Sequence, residues 1–285
     1  MTVSPARPWR PGSPEERLVV ALDVADLRAA RSLVTALRPL VTWFKVGLQL
    51  YSVAGPATVE LVKEQGGRVF VDLKLHDIPH TVARAAAALT RLGADMISLH
   101  AAGGQRMMAE AVAAVRDTGA AAARDTAAGA FREAAGAFRE AAAAGRGGPF
   151  LVGVTVLTSL GEEDLCALGV ARSLTGQVLA LARLALKAGL DGWVASPREA
   201  ALLRRELGSD PLIVTPGIRP VAAVAGRRGT DDQVRVATAA QALGEGADWL
   251  VVGRPITCAP DPVQAARVLV EELRQAVRGE EEASL

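Results

Sequence analysis

The sequence of 285 residues predicts an α/β domain folded as a single (β/α)8 barrel with parallel strands, and three observations carry that expectation. Eight strand-sized apolar runs alternate with segments of helical composition. The runs are apolar almost throughout, as strands covered on both faces are. No GxGxxG turn follows the first run, which counts against the main competitor, a doubly wound open sheet. Half of the residues are apolar, and about 250 residues suffice for one barrel core.

Residues 1–17 are rich in proline and arginine and have no apolar h-region, so they read as a disordered N-terminal extension and not as a signal peptide. The barrel is expected over 18–278, with an acidic tail at 279–285. Its strands are LVVALD from Leu18, WFKVG from Trp43, RVFVDL from Arg68, MISLH from Met96, PFLVGVTVLT from Pro149, GWVAS from Gly192, PLIVT from Pro211 and WLVVG from Trp249. Helices are expected over 26–38, 56–65, 81–92, 174–188, 197–207, 237–246 and 262–277. The span 119–148 breaks the rhythm: it is alanine-rich and repeats GAFREAA at 129–135 and 136–142. Two copies are too few for a solenoid, so an Ala-rich helical insertion after strand 4 is expected, with Phe131 and Phe138 on one face.

Composition excludes several function classes. The formal net charge is +1 and aromatics are 4%, which argues against a polyanion binder and against base-stacking platforms, so no nucleic-acid partner is expected. No apolar run reaches the 18 or more residues of a membrane span. Cys166 and Cys258 lie far apart without CxxC or Cys/His spacing, which speaks against a disulfide framework and structural zinc and fits a reducing cytoplasm. Only Lys45, Lys63, Lys74 and Lys187 are lysines, so a lysine at a strand end stands out against the many arginines.

In a barrel, side chains at the C-terminal ends of strands converge on the site. The first strand ends in Asp23, the second in Lys45 and the third in Asp72-Leu73-Lys74, followed by Leu75-His76-Asp77. Asp72 and Lys74, two apart, are expected on the same face, with Leu73 turned away. A salt-bridge network would explain one such pair. Four ionisable residues of alternating sign on three adjacent strands point instead to functional use, because burying charge is costly. After the seventh strand comes Thr215-Pro216-Gly217-Ile218-Arg219-Pro220, and after the eighth comes Gly253-Arg254-Pro255. Loops at these places frequently hold a phosphate, and an arginine fork matches its oxygens. The Gly-, Pro- and Arg-rich span 216–233 reads either as a lid that closes over that phosphate or as an ordinary long loop.

Asp72-Leu73-Lys74-Leu75-His76-Asp77-Ile78-Pro79-His80-Thr81, taken with Ala21-Leu22-Asp23, Lys45-Val46-Gly47, Thr155-Val156-Leu157-Thr158-Ser159 and the two phosphate-loop segments, closely resembles the orotidine 5′-phosphate decarboxylases. The matches run in order from about residue 18 to 265, and the DxKxxDIPxT stretch is highly specific. The resemblance implies cofactor-free decarboxylation of orotidine 5′-monophosphate to UMP in pyrimidine nucleotide synthesis, with no metal. It implies that Lys74 donates the proton to C6, that Asp72 sits beside the substrate carboxylate, and that Lys45 and Asp77 complete a charged array. It further implies a homodimer in which Asp77, Ile78 and Thr81 reach into the partner's site. Asp23 and Lys45 match ribose-binding residues and Thr158 one near the base, whereas Arg219, Gln233, Gly253 and Arg254 match residues at the phosphate and its closing loop.

Two features depart from the family pattern: the heptad insertion, and a longer span from Arg219 to Gln233 with an extra Gly226-Arg227-Arg228-Gly229 turn. His80 stands where a small polar residue is expected, and His76 is expected to serve a structural hydrogen bond. The nearest rival is a related barrel that decarboxylates a keto-sugar phosphate with magnesium. Those relatives carry an acidic metal ligand where this chain has Lys45, and a protonated lysine cannot coordinate a divalent cation. A catalytically dead, nucleotide-binding or partner-recruiting barrel ranks last, since every member of the charged array is present.

Overall fold

The computed structural model describes residues 11–127, 148–221 and 236–283. Eight parallel strands close into a barrel in sequence order, β1 (Leu18–Ala21), β2 (Trp43–Gly47), β3 (Arg68–Leu75), β4 (Met96–His100), β5 (Phe150–Val154), β6 (Gly192–Val194), β7 (Leu212–Pro216) and β8 (Trp249–Val252), with β8 pairing back onto β1. All eight expected strands are present.

Alternation along each strand sorts the side chains into two cores. Leu18, Val20, Val69, Val71 and Ile97 face outward to the helices, whereas Val19, Ala21, Trp43, Phe70, Met96, Phe150 and Trp249 fill the barrel interior. Trp249 packs against Trp43 edge-on at 5.7 Å and against Phe150 at 5.5 Å, so the interior has an aromatic floor. Such rings favour tilted and edge-to-face packing because of their quadrupoles. Two residues beyond that floor the same inward direction recurs: Asp23 after Ala21, Lys45 after Trp43, Asp72 after Phe70 and Ser98 after Met96. A polar layer therefore sits directly above an apolar one.

The long helices are α1 (Leu27–Leu37), α3 (Ala57–Glu64), α4 (Pro79–Arg91), α5 (Gly104–Ala127), α7 (Leu174–Lys187), α8 (Pro197–Leu207) and α11 (Pro262–Ala283), the last numbers counting the short helices introduced next. Their starts follow capping chemistry: Asp26 accepts from the Ala29 amide, and Ser173 accepts from the Gly176 amide. Pro79, Pro197 and Pro262 each open a helix, where the missing N–H costs nothing. Three short helices were not anticipated, namely α2 (Leu48–Ala54), α6 (Glu162–Ala167) and α10 (Arg254–Thr257). With α9 (Ala239–Gly244) they are too short to show a 3.6-residue period.

The last four residues of the N-terminal extension take a defined shape, a 3-10 turn over Pro14–Arg17 in which Glu15 pairs with Arg274 of α11 at 2.6 Å. That helix runs past 278, to Ala283. Helix α5 enters the alanine-rich span as far as Ala127, and both GAFREAA copies lie outside the described residues.

Candidate active site

The C-terminal mouth of the barrel opens into a cavity of about 480 Å³. The ends of β1 to β3 supply a charged wall, with Asp23, Lys45, Asp72 and Lys74, and the ends of β7 and β8, the latter paired with β1, supply Pro216, Gly217, Arg219, Gly253 and Arg254. Val154, Val156, Leu157, Thr158 and Val194 complete the lining on the side of β5 and β6, above Phe70 and Val251.

The charged wall is a chain of contacts. Lys45 Nζ lies 3.2 Å from Asp23 Oδ1 and 3.5 Å from Asp72 Oδ2, and Lys74 Nζ donates to Asp72 Oδ2 at 2.8 Å. Asp72 is 7% exposed, so burial pushes its carboxyl up. The Lys45 and Lys74 ammonium groups, with hydrogen bonds from Lys74 and Ser98, outweigh that cost and hold Asp72 below the ordinary carboxylate value. Gly47 makes room for the arrangement: a Cβ there would come 2.9 Å from Lys45 Nζ and 3.0 Å from Asp23 Oδ1.

Lys74 reaches the cavity by a distortion that strand periodicity does not contain. Asp72 and Lys74 do share the cavity side while Leu73 packs outward, but Lys74 has φ +52°, the only positive φ at a non-glycine among the described residues. The β3–β4 ladder passes from Val71↔Ile97 to Leu75↔Leu99, so four residues of β3 span two of β4. Bulges of this kind re-aim side chains at functional sites, and left-handed backbone at a lysine is costly enough to need support from its surroundings.

The wall at the ends of β7 and β8 is polar and cationic. Arg219 follows β7 and Arg254 begins α10, directly after Gly253. Gly217 has φ +85°, a conformation that favours glycine. The Arg219 amide donates to Ala237 O, and the Ala237 amide donates to Gly217 O, so the chain on either side of 222–235 is pinned together at the cavity. Gln233 and most of the expected lid lie outside the described residues.

Asp77, Ile78 and Thr81 do not line the cavity of their own chain. They are exposed on the β3–α4 connection and the first turn of α4, and Ile78 is 67% exposed. His76 is held by a ring, stacking on His100 at 5.0 Å, while His100 Nδ1 accepts from the Ala102 amide. Sequence reasoning missed Gln49 of α2, which lines the cavity, and Ser98 of β4, which bonds Asp72. The signal for Ser98 was a hydroxyl inside the apolar run MISLH. Among the described residues no group of three or more His, Cys, Asp or Glu could hold a metal ion.

The orotidine 5′-phosphate decarboxylase / HUMPS family model matches residues 16–269, nearly the whole barrel. The chain belongs to this family. An orotidine 5′-phosphate decarboxylase of Moorella thermoacetica is 50% identical over 260 residues, 91% of this chain and 92% of that protein. One from Syntrophotalea carbinolica is 46% identical over 262 residues, 92% of this chain and 96% of that protein. Among solved structures, the orotidine 5′-phosphate decarboxylase of Lactobacillus acidophilus superposes with a TM-score of 0.70 at 32% identity, covering 91% of this chain and 99% of that one. Membership in the orotidine 5′-phosphate decarboxylase family accords with the wall of alternating charge, whose Asp72 and Lys74 lie in the DLKLHDIPHT segment that first suggested it.

Proposed function

We propose that the chain is a carbon–carbon lyase that converts orotidine 5′-monophosphate to UMP and CO2 without a cofactor, in pyrimidine nucleotide synthesis. The observation that carries this reading is the Asp23–Lys45–Asp72–Lys74 chain sharing one cavity with Arg219 and Arg254. The cationic wall suits the phosphate, and the charged wall suits the pyrimidine carbon that loses carboxylate.

In this mechanism the C6–carboxylate bond breaks and its electron pair stays on C6. Lys74 Nζ stabilises that developing charge and then transfers a proton to C6, leaving a neutral amine that solvent reprotonates. Asp72 aims the Lys74 ammonium and lies beside the departing carboxylate. Its negative charge disfavours the bound carboxylate more than the transition state in which that charge moves to C6. Asp23 and Lys45 hold the ribose hydroxyls, and Thr158 the base. Arg219, Gly253, Arg254 and Gln233 bind the phosphate, whose remote binding energy helps organise the reacting end.

The active form is a homodimer in which Asp77, Ile78 and Thr81 complete the partner's site. Their exposure, and their absence from the cavity of their own chain, support that role. A cytoplasmic enzyme accords with two free, exposed cysteines. No described helix is long and apolar enough to cross a membrane.

The deciding experiment follows ultraviolet absorbance when purified protein meets orotidine 5′-monophosphate with a chelator present. Rapid substrate loss is expected. No change in folded protein overturns the reading and directs attention to keto-sugar phosphates with magnesium.

A further inference from the structure

We propose that Ser98 is a positioning residue for the decarboxylation, a single hydroxyl that sets the Asp72 carboxylate and the Lys74 backbone at once. The inference rests on the assignment of Asp72 and Lys74 to the reacting end of the cavity.

Ser98 is fully buried on β4, inward of the strand and above Met96. Its Oγ donates to Asp72 Oδ1 at 2.9 Å and accepts the Lys74 amide at 2.9 Å. A serine hydroxyl has one proton to give, and here it goes to the carboxylate, leaving the oxygen lone pairs to the amide. Both contacts fall within the β3–β4 stretch where the ladder skips. The Lys74 amide there meets a side-chain oxygen, so the hydroxyl stands in for a ladder acceptor at the left-handed residue.

The consequence for Asp72 is a division of its oxygens. Oδ1 is held by Ser98, and Oδ2 faces Lys74 Nζ at 2.8 Å and Lys45 Nζ at 3.5 Å. Rotation of the carboxylate out of this plane would break the Ser98 bond, so the hydroxyl fixes the direction in which the second oxygen meets the ammonium groups. Through the amide it also pins the backbone from which the Lys74 side chain departs. Loss of the hydroxyl leaves the half-buried Lys74 amide without this partner and frees both groups to shift, and an ångström of misplacement at a proton donor costs rate more than ligand affinity.

The test compares Ser98→Ala, Ser98→Cys and Ser98→Thr with the wild-type enzyme. Turnover of orotidine 5′-monophosphate by wild type is measured first, because its absence overturns the functional reading and not the placement of Ser98. In folded Ser98→Ala, kcat is expected to fall about 30-fold or more, while KM and UMP affinity stay within about threefold. Ser98→Thr keeps the Oγ and is expected to recover most of the rate. Ser98→Cys fills the same space with a weak donor and is expected to behave like alanine. A purely structural hydroxyl predicts a lower melting temperature with unchanged kcat, and that result, or a threonine variant no faster than the cysteine one, overturns the proposal. Should the alanine variant not fold, the threonine and cysteine pair still decides. Amide hydrogen exchange gives a readout independent of turnover: in the cysteine variant a peptide spanning 72–75 should lose protection relative to one spanning 43–47. Unchanged protection overturns the placement whatever the activity.

Discussion

The two ends of the barrel each bury an aspartate against a lysine, yet the environments push the two acids in opposite directions. At the mouth, Asp72 meets Lys74 at 2.8 Å, and at the other end Asp95 meets Lys63 of α3 at 2.9 Å. The two acids are 7% and 8% exposed. Burial pushes both up. At Asp95 it prevails over Lys63, the Val69 amide and Arg68, whereas at Asp72 two ammonium groups and two hydrogen bonds reverse it.

Asp95 belongs to a repeated clasp. It accepts the Val69 amide, Asp191 accepts the Leu151 amide and Asp248 accepts the Ile213 amide, each acid joining the start of one strand to its neighbour. Each follows a glycine of positive φ by two residues, at Gly93, Gly189 and Gly246. Arg204 adds a bond to Asp248 and others to Gly246 O and Pro211 O. A buried acid bonded to backbone amides serves the fold. A buried acid between two ammonium groups at a cavity is the one proposed here to serve chemistry, so burial and ion pairing alone do not mark a site.

This contrast can be broken most directly at Lys74. Lys74→Ala should lower kcat by about 10³-fold or more, with UMP binding still measurable by calorimetry. Near wild-type turnover would sink the proton-donor assignment. In the proposed homodimer the mouth, unlike the other end of the barrel, also draws on a second chain. Mixing inactive Lys74→Ala with inactive Asp77→Ala subunits should restore activity, because one hybrid site is then intact. No recovery despite subunit exchange verified by mass spectrometry contradicts the shared site.

At the opposite end, Asp95→Asn should cost about 2 kcal/mol of stability, read as a lower melting temperature, with kcat unchanged. A fall in kcat equal to that of a mouth variant would erase the distinction. The smallest effect concerns pH and has opposite signs at the two acids. Asp72 is depressed below its ordinary 3.8, so its contribution to stability is present above that value and is lost as pH falls through the folded one. Asp95 is raised above 3.8, so its contribution is present below that value and is lost as pH rises through the folded one. Melting temperatures taken from neutral pH into acid should show the deficit of Asp72→Asn shrinking and that of Asp95→Asn growing. Deficits that move together would refute the contrast.

The eight strands were legible because each is a short apolar run between helical segments, and a parallel barrel leaves no strand face for water. The charged wall was legible because Asp23, Lys45 and Asp72 each continue an inward-facing strand position. Asp77, Ile78 and Thr81 came from the resemblance alone, since their own cavity does not include them. The short helices α2, α6 and α10 escaped notice, as did Gln49, because a turn or two of helix has no period to read.

What chain order alone specifies is thus the barrel, its inward and outward faces and the chemical character of its mouth, since periodicity and residue type are local properties. The skip in the β3–β4 ladder, the left-handed Lys74 and the Ser98 hydroxyl beneath it came only from the folded molecule. Their physical cause is non-local: a lysine holds strained backbone and a buried acid its orientation only when a neighbouring strand, 24 residues on, supplies the hydrogen bond.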